Sequence, residues 1–228
     1  MLFLTLFILE IIFLFFISRV LTKSLSRVFL RITKSQTVTI HLLSFLFLPG
    51  VIVHELSHLL VAGVLFVRTG EIEFMPKIID GGVKLGSVTI AKTDPVRRAI
   101  IGFAPVFVGL SAILGIIYFA VDKSSIVRTI ELDNTLKIII FISIFYLLFA
   151  ISNTMFSSRK DMEGTIELLA VIAIIFTAFY VMGFRTSFSI PNIFIDKIVD
   201  LIKTLDLFLL WPLAIDFVIV GIIKVFNR

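Results

Sequence analysis

The chain has no cysteine and only three histidines among its 228 residues. Disulfides and thiolate metal sites are therefore excluded, and any bound metal must rest on imidazole and carboxylate groups. Charge is scarce as well: Asp, Glu, Lys and Arg make up 16% of the residues, against roughly a quarter in soluble domains. There is no long polar tract, low-complexity segment or internal repeat. What fills the chain is apolar, with 59% hydrophobic residues and a mean hydropathy of +1.13. A soluble fold of this length has no core large enough to hide that surface, whereas a bilayer solvates outward-facing Leu, Ile and Phe. The net charge of +5 does not point to nucleic acid. The basic residues sit in short loops between apolar runs, where they meet lipid headgroups.

The fold expected is an all-α polytopic membrane protein of about six transmembrane helices, with a small β-hairpin or sheet inserted between the second and third. The expected spans are 1–18, 41–67, 96–121, 136–156, 162–184 and 207–226, each near the ~20 residues a bilayer requires. The first lacks the basic n-region and small-residue cleavage site of a signal peptide. Arg19, Lys23, Arg27 and Arg31 recur every fourth residue after it, which fits either an interfacial amphipathic helix or an extension of the first span. Pro49-Gly50 is expected to kink or restart the second span. Residues 69–93 alternate polar with apolar around Asp80-Gly81-Gly82, the texture of a hairpin. Asp94-Pro95 supplies an N-cap and an N1 proline for the third span. An amphipathic piece at 196–206 precedes the last. Three regions follow: residues 1–39 with the first helix and basic segment, 40–165 as a catalytic core, and 166–228 with two further helices. Lys and Arg split 11 to 10 between the two sets of loops, so charge does not set the orientation.

The second span carries His54-Glu55-Leu56-Ser57-His58. Residues four apart on a helix share a face, so both imidazoles can reach one tetrahedral ion at ~2.0–2.1 Å. Glu55 lies beside the first of them and is placed to act as general base on zinc-bound water. Two histidines merely bonding to neighbouring helices is the plainer alternative, but three ionisable groups clustered in a span are costly without a shared task. His41 reads as an interfacial residue. A catalytic zinc needs a third protein ligand, and the carboxylate candidates are Glu10, Glu131, Asp133, Asp161, Glu163, Glu167 and Asp216. The topology puts Asp161, Glu163 and Glu167 on the hairpin side of the membrane and Glu131 and Asp133 on the other. Glu10 and Asp216 fall within spans, where pairing with a base or serine, or a wet cavity, accounts for them.

At these residues the chain resembles the site-2 protease family of intramembrane zinc metalloproteases, as a divergent member. His54 to His58 match that family's His-Glu-x-x-His element, residues 71–90 its hairpin, and Gly102-Phe103-Ala104-Pro105 approximates its Gly-Pro motif. Asn153 stands eight residues before Asp161, the spacing of its Asn-x7-Asp-Gly element. The likeness covers about residues 49–164. It implies that Asp161 is the third metal ligand and that Asn153 orients substrate or stabilises the oxyanion. It also implies that an unwound substrate pairs with the hairpin as an added strand. The sequence departs from the pattern in having no proline between Asn153 and Asp161, in placing Arg159-Lys160 before Asp161, and in displacing the glycine to Gly164. A second Asn after the Gly-Pro motif is also missing, with Val108-Gly109 nearby.

The expectation is an intramembrane zinc metalloendopeptidase with one Zn²⁺ per chain, acting in or near transmembrane segments of other proteins in the cell membrane. Its partners are a membrane-protein substrate and the lipid bilayer, not nucleic acid. The alternatives are a membrane zinc peptidase of another clan with a Glu as third ligand, or a non-catalytic scaffold or transport-type protein with a structural zinc.

Overall fold

The computed structural model describes residues 2–74, 76–79, 82–84, 86–119, 134–156, 161, 165–183 and 192–226. Its helices are α1 (Leu2–Thr33), α2 (Gln36–Val64), α3 (Pro95–Ile117), α4 (Asn134–Thr154), α5 (Thr165–Val181) and α6 (Asn192–Phe226). Between α2 and α3 lie β1 (Thr69–Glu73), β2 (Lys77–Ile79), β3 (Gly82–Lys84) and β4 (Ser87–Ile90). Among the described residues five helices are long and apolar enough to cross a membrane: all but α5. The fifth expected span corresponds to α5, whose 17 residues reach only about 26 Å at 1.5 Å per residue.

The basic segment after residue 18 is not a separate interfacial helix. No Gly or Pro interrupts residues 2–33, so the hydrogen-bond ladder continues and α1 is a single 32-residue helix. Its buried positions, Leu14, Ser18, Leu21 and Ser24, recur every three or four residues and form one stripe. The bases lie off that stripe, and the Arg19 guanidinium sits 4.0 Å from the centre of the Phe15 ring, a cation–π contact. The same holds at the C-terminus, where the amphipathic piece and the last span are one helix. Leu205, Leu209, Pro212, Asp216 and Val220 are its buried face.

α2 begins at Ser35, whose side chain accepts a hydrogen bond from the Val38 N–H. It runs on as one helix through Pro49-Gly50, where a kink or a restart was expected. Pro49 has no N–H to give the Phe45 carbonyl, and the Tyr146 hydroxyl of α4 bonds at this point, 3.0 Å from the Leu46 carbonyl and 3.4 Å from that of Phe45. Gly50 serves close approach: a Cβ there would land on the Ala150 carbonyl and the Thr154 hydroxyl of α4. Phe47 stacks on Phe149 across the same contact, ring centroids 5.8 Å apart.

The hairpin expectation at 71–90 is met by two antiparallel pairs. β1 pairs with β4, with Ile72 opposite Val88 and Glu73 opposite Ser87, and β2 pairs with β3, with Ile78 opposite Val83. The turn residues Asp80 and Gly81 lie outside the described residues. α3 starts as its sequence reads, with the Asp94 carboxylate accepting from the Arg97 N–H at 3.0 Å and Pro95 in the first turn. The Asp94 carboxyl is held below the usual range, chiefly by that backbone N–H.

Packing is concentrated where α1, α3, α4 and α6 meet, around Leu14, Ile113, Leu148, Ile151 and Leu209. A second cluster joins Leu21, Leu43, Phe47, Phe149 and Val220. Outward faces expose large apolar groups such as Phe16, Phe45, Phe107 and Phe176. That surface is stable in lipid and not in water. The chain is built as a membrane protein.

Candidate metal centre

The inner face of α2 carries Val51, the adjacent pair His54 and Glu55, and His58 one turn on, with Glu55 and His58 buried. The two imidazoles stand 5.0 Å apart between ring centres and nearly perpendicular, at 81°. Each Nδ1 meets a main-chain carbonyl: His54 that of Thr154 at 2.7 Å, and His58 that of Ile101 at 2.8 Å. A carbonyl only accepts, so each Nδ1 carries the proton and each Nε2 of the neutral ring keeps its lone pair.

Both carbonyls are free for a reason that lies in the sequence. Thr154 ends α4, and the last four carbonyls of a helix have no partner within it. Ile101 lies inside α3, but the residue four ahead of it is Pro105, which has no N–H. The Gly102–Pro105 motif thus leaves one carbonyl of α3 unclaimed, and His58 takes it.

Asp161 completes the group. Its Oδ2 is 3.8 Å from His54 Nε2 and its Oδ1 is 3.8 Å from His58 Nε2. Those distances exceed hydrogen-bond range. Tetrahedral zinc with ~2.0–2.1 Å bonds sets its ligand atoms about 3.4 Å apart, and the two histidine–aspartate spacings are close to that. One ligand atom from each of His54, His58 and Asp161 lies within 4.8 Å of the others, and the trio can hold a metal ion. Two histidines whose Nδ1–H groups are held by carbonyls, with a single carboxylate beside them, are the donor set of a three-ligand site with an open position.

The trio opens on a cavity of about 830 Å³ lined also by Glu55, Asn153 and strand β4. Glu55 lies against the start of that strand, where a Cβ on Gly86 would come within 2.8 Å of its Oε1. Only glycine lets the backbone pass so close to the carboxylate. The edge of the hairpin and the carboxylate therefore face the same space.

The other candidates separate. Asn153 is buried beside the cavity, but both its N–H groups are engaged: Nδ2 donates to the Phe149 carbonyl and to Asp216 Oδ1, each at 3.0 Å. That leaves its Oδ1, an acceptor, for any further contact. Asp216 is fully buried on α6 with the Asn153 amide for a partner, where a base, a serine or a wet cavity was expected. Glu10 lies on α1 and does not line the cavity. His41 is exposed near the start of α2 and bonds to the Thr37 carbonyl. Glu131, Asp133, Arg159, Lys160, Glu163 and Gly164 lie outside the described residues, as does the side chain of Glu167.

No protein-family model, curated protein or solved structure matches the chain.

Proposed function

We propose that this protein is an intramembrane zinc metalloendopeptidase that cleaves peptide bonds in or near transmembrane segments of other proteins. The observation that carries this reading is the placement of Glu55 and the His54–His58–Asp161 trio in one cavity walled by a strand edge. The resemblance of its motifs to the site-2 protease family agrees with it. A multi-pass location in the cell membrane belongs to the same reading.

His54, His58 and Asp161 would hold the ion. Bound there, Zn²⁺ supplies a Lewis acid that acidifies water and polarises a carbonyl. Glu55 takes the proton of the attacking water and returns it to the leaving amine. The Thr154 and Ile101 carbonyls hold the histidines in the metal-binding tautomer throughout. A helical substrate has its peptide carbonyls occupied and must unwind, and β4 offers main-chain groups to pair with the extended segment. Asn153, with its donors taken, fits an orienting role better than an oxyanion-stabilising one.

A structural zinc in a scaffold would not need a buried carboxylate beside the ion and an open cavity in front of it. Glu55→Gln tests the difference. The expected outcome is one zinc per chain, as in the unsubstituted protein, with membrane proteins accumulating uncleaved on the variant, measured by metal analysis and by mass spectrometry of trapped species. Unchanged biological activity in that variant would favour the scaffold.

A further inference from the structure

We propose that Lys92 and Arg98 form a subsite for an acidic residue of the substrate, at the mouth of the cavity and about six residues along the bound chain from the scissile bond. The inference rests on the peptidase reading and deepens it by naming the class of chain that the cavity takes.

Strand β4 joins the two ends of the cavity. At the inner end Gly86 lies against α2, where a Cβ would come within 2.8 Å of both Glu55 and Val51. Further along, Ile90 packs against the cluster of Ala62, Val67 and Ile101. Ala62 is about three turns beyond Val51 on α2, so β4 runs outward along that helix toward its end. The Ala91 N–H then bonds to the Arg68 carbonyl at 3.0 Å, and Lys92 follows. Arg98 stands about one turn before Ile101 on α3. Both residues are exposed and both line the cavity. From Gly86 to Lys92 the chain advances about 20 Å when extended.

Among the described residues lining the cavity, the carboxylates are Glu55 and Asp161, and the bases other than histidine are Lys92 and Arg98. With Zn²⁺ bound the two carboxylates are offset, and the lining is left with the positive charge of the two bases. Arg97 marks the contrast. It adjoins Arg98 in sequence, but it pairs with Asp94 at 3.3 Å and does not line the cavity. Among the described residues β4 pairs with β1 alone, so its other edge can take an extended chain. A chain paired there with its scissile carbonyl beside Glu55 reaches the bases after about six residues. A carboxylate at that place meets charges of opposite sign. The substrate class is an apolar segment flanked by Asp or Glu and cut about six residues inside that flank.

The test uses the full-length, zinc-loaded protein in dodecyl maltoside with hydroxamate probes. Acetohydroxamate reports on the metal alone. Two series of blocked Ala-Leu peptides carry the same head, one at the C-terminus and one at the N-terminus through a succinyl unit. Each peptide holds a single Glu or Gln, either next to the head or about six residues from it. The distant Glu is expected to bind about tenfold more tightly than the distant Gln in one of the two series, and the near pair equally. In Lys92→Gln/Arg98→Gln that preference disappears, while zinc content and acetohydroxamate affinity hold. Lys92→Gln alone removes part of it and serves should the double variant not fold. Lys92→Glu/Arg98→Glu reverses it in favour of a Lys probe. Equal affinity for Glu and Gln in both series overturns the proposal, and so does a preference that survives in Lys92→Gln/Arg98→Gln. Equal affinity together with phosphatidylglycerol binding that falls in the double variant overturns it in favour of a lipid headgroup. Failure of the wild-type zinc protein to bind acetohydroxamate would instead break the peptidase reading, and this inference with it.

Discussion

His54 and His58 are held by the same bond, an Nδ1–H to a main-chain carbonyl, but the two carbonyls became available in opposite ways. That of Thr154 is free because a helix stops there. That of Ile101 is free in mid-helix because Pro105 cannot claim it. One seat depends on how closely α2 and α4 approach, since Gly50 is what lets them meet. The other depends on a local defect within α3. A histidine pair that looks symmetric in sequence thus has one seat built by packing between helices and one by a break in a hydrogen-bond ladder.

The largest expected effect is on the packed seat. Gly50→Ala puts a methyl group onto the Ala150 carbonyl and the Thr154 hydroxyl, main-chain and short groups with little room to yield. Overpacking of this kind costs about 1–3 kcal/mol. The variant should unfold at lower temperature in micelles and bind zinc more weakly, both readable by thermal unfolding with and without metal. An unshifted unfolding temperature would show that the two helices do not rely on Gly50.

The ladder seat gives a contrasting result. Pro105→Ala restores an N–H to the Ile101 carbonyl and draws it back into line with the helix axis. Loss of such a supporting contact weakens metal binding by about 10–100-fold, while Ala is by far the better helix former. Zinc affinity falls and apo-protein stability does not. If competition titration gave wild-type affinity in this variant, the freed carbonyl would not be what holds His58.

The smallest effect is expected at the start of α3, about two turns before Ile101. The Asp94 carboxyl is depressed below its ordinary range by the Arg97 N–H. Its capping contribution is therefore complete above the unfolded carboxylate pKa and is lost as pH falls through the lower folded value. Asp94→Ala should melt slightly below wild type at neutral pH and converge with it in acid, with zinc content unaltered throughout. A gap that widened in acid would contradict the cap.

Much of this was legible in the residues. Apolar runs marked the helices, alternation marked the hairpin, and Asp94-Pro95 marked the start of α3. His54, Glu55 and His58 follow from helical periodicity alone. Asp161 needed topology and a family likeness, because no local pattern links residues so far apart in the chain. Whether α1 ended near residue 18 or ran on was left open by the sequence, and the division of α6 was misplaced, since charge within a helix reads as a boundary when the partner helices are unknown. The role of Pro105 was half legible: a proline always frees the carbonyl four residues back, but only the packed structure shows which side chain receives it. The Asn153–Asp216 bond left no sequence signal beyond a carboxylate inside a span.

Zinc binding by the purified protein and its Asp161→Ala variant, each dialysed against the same zinc buffer and analysed for metal, tests the central claim most directly. The account predicts one zinc per chain in the wild type and substoichiometric zinc in the variant. Full zinc in Asp161→Ala, or none in the wild type, would contradict it.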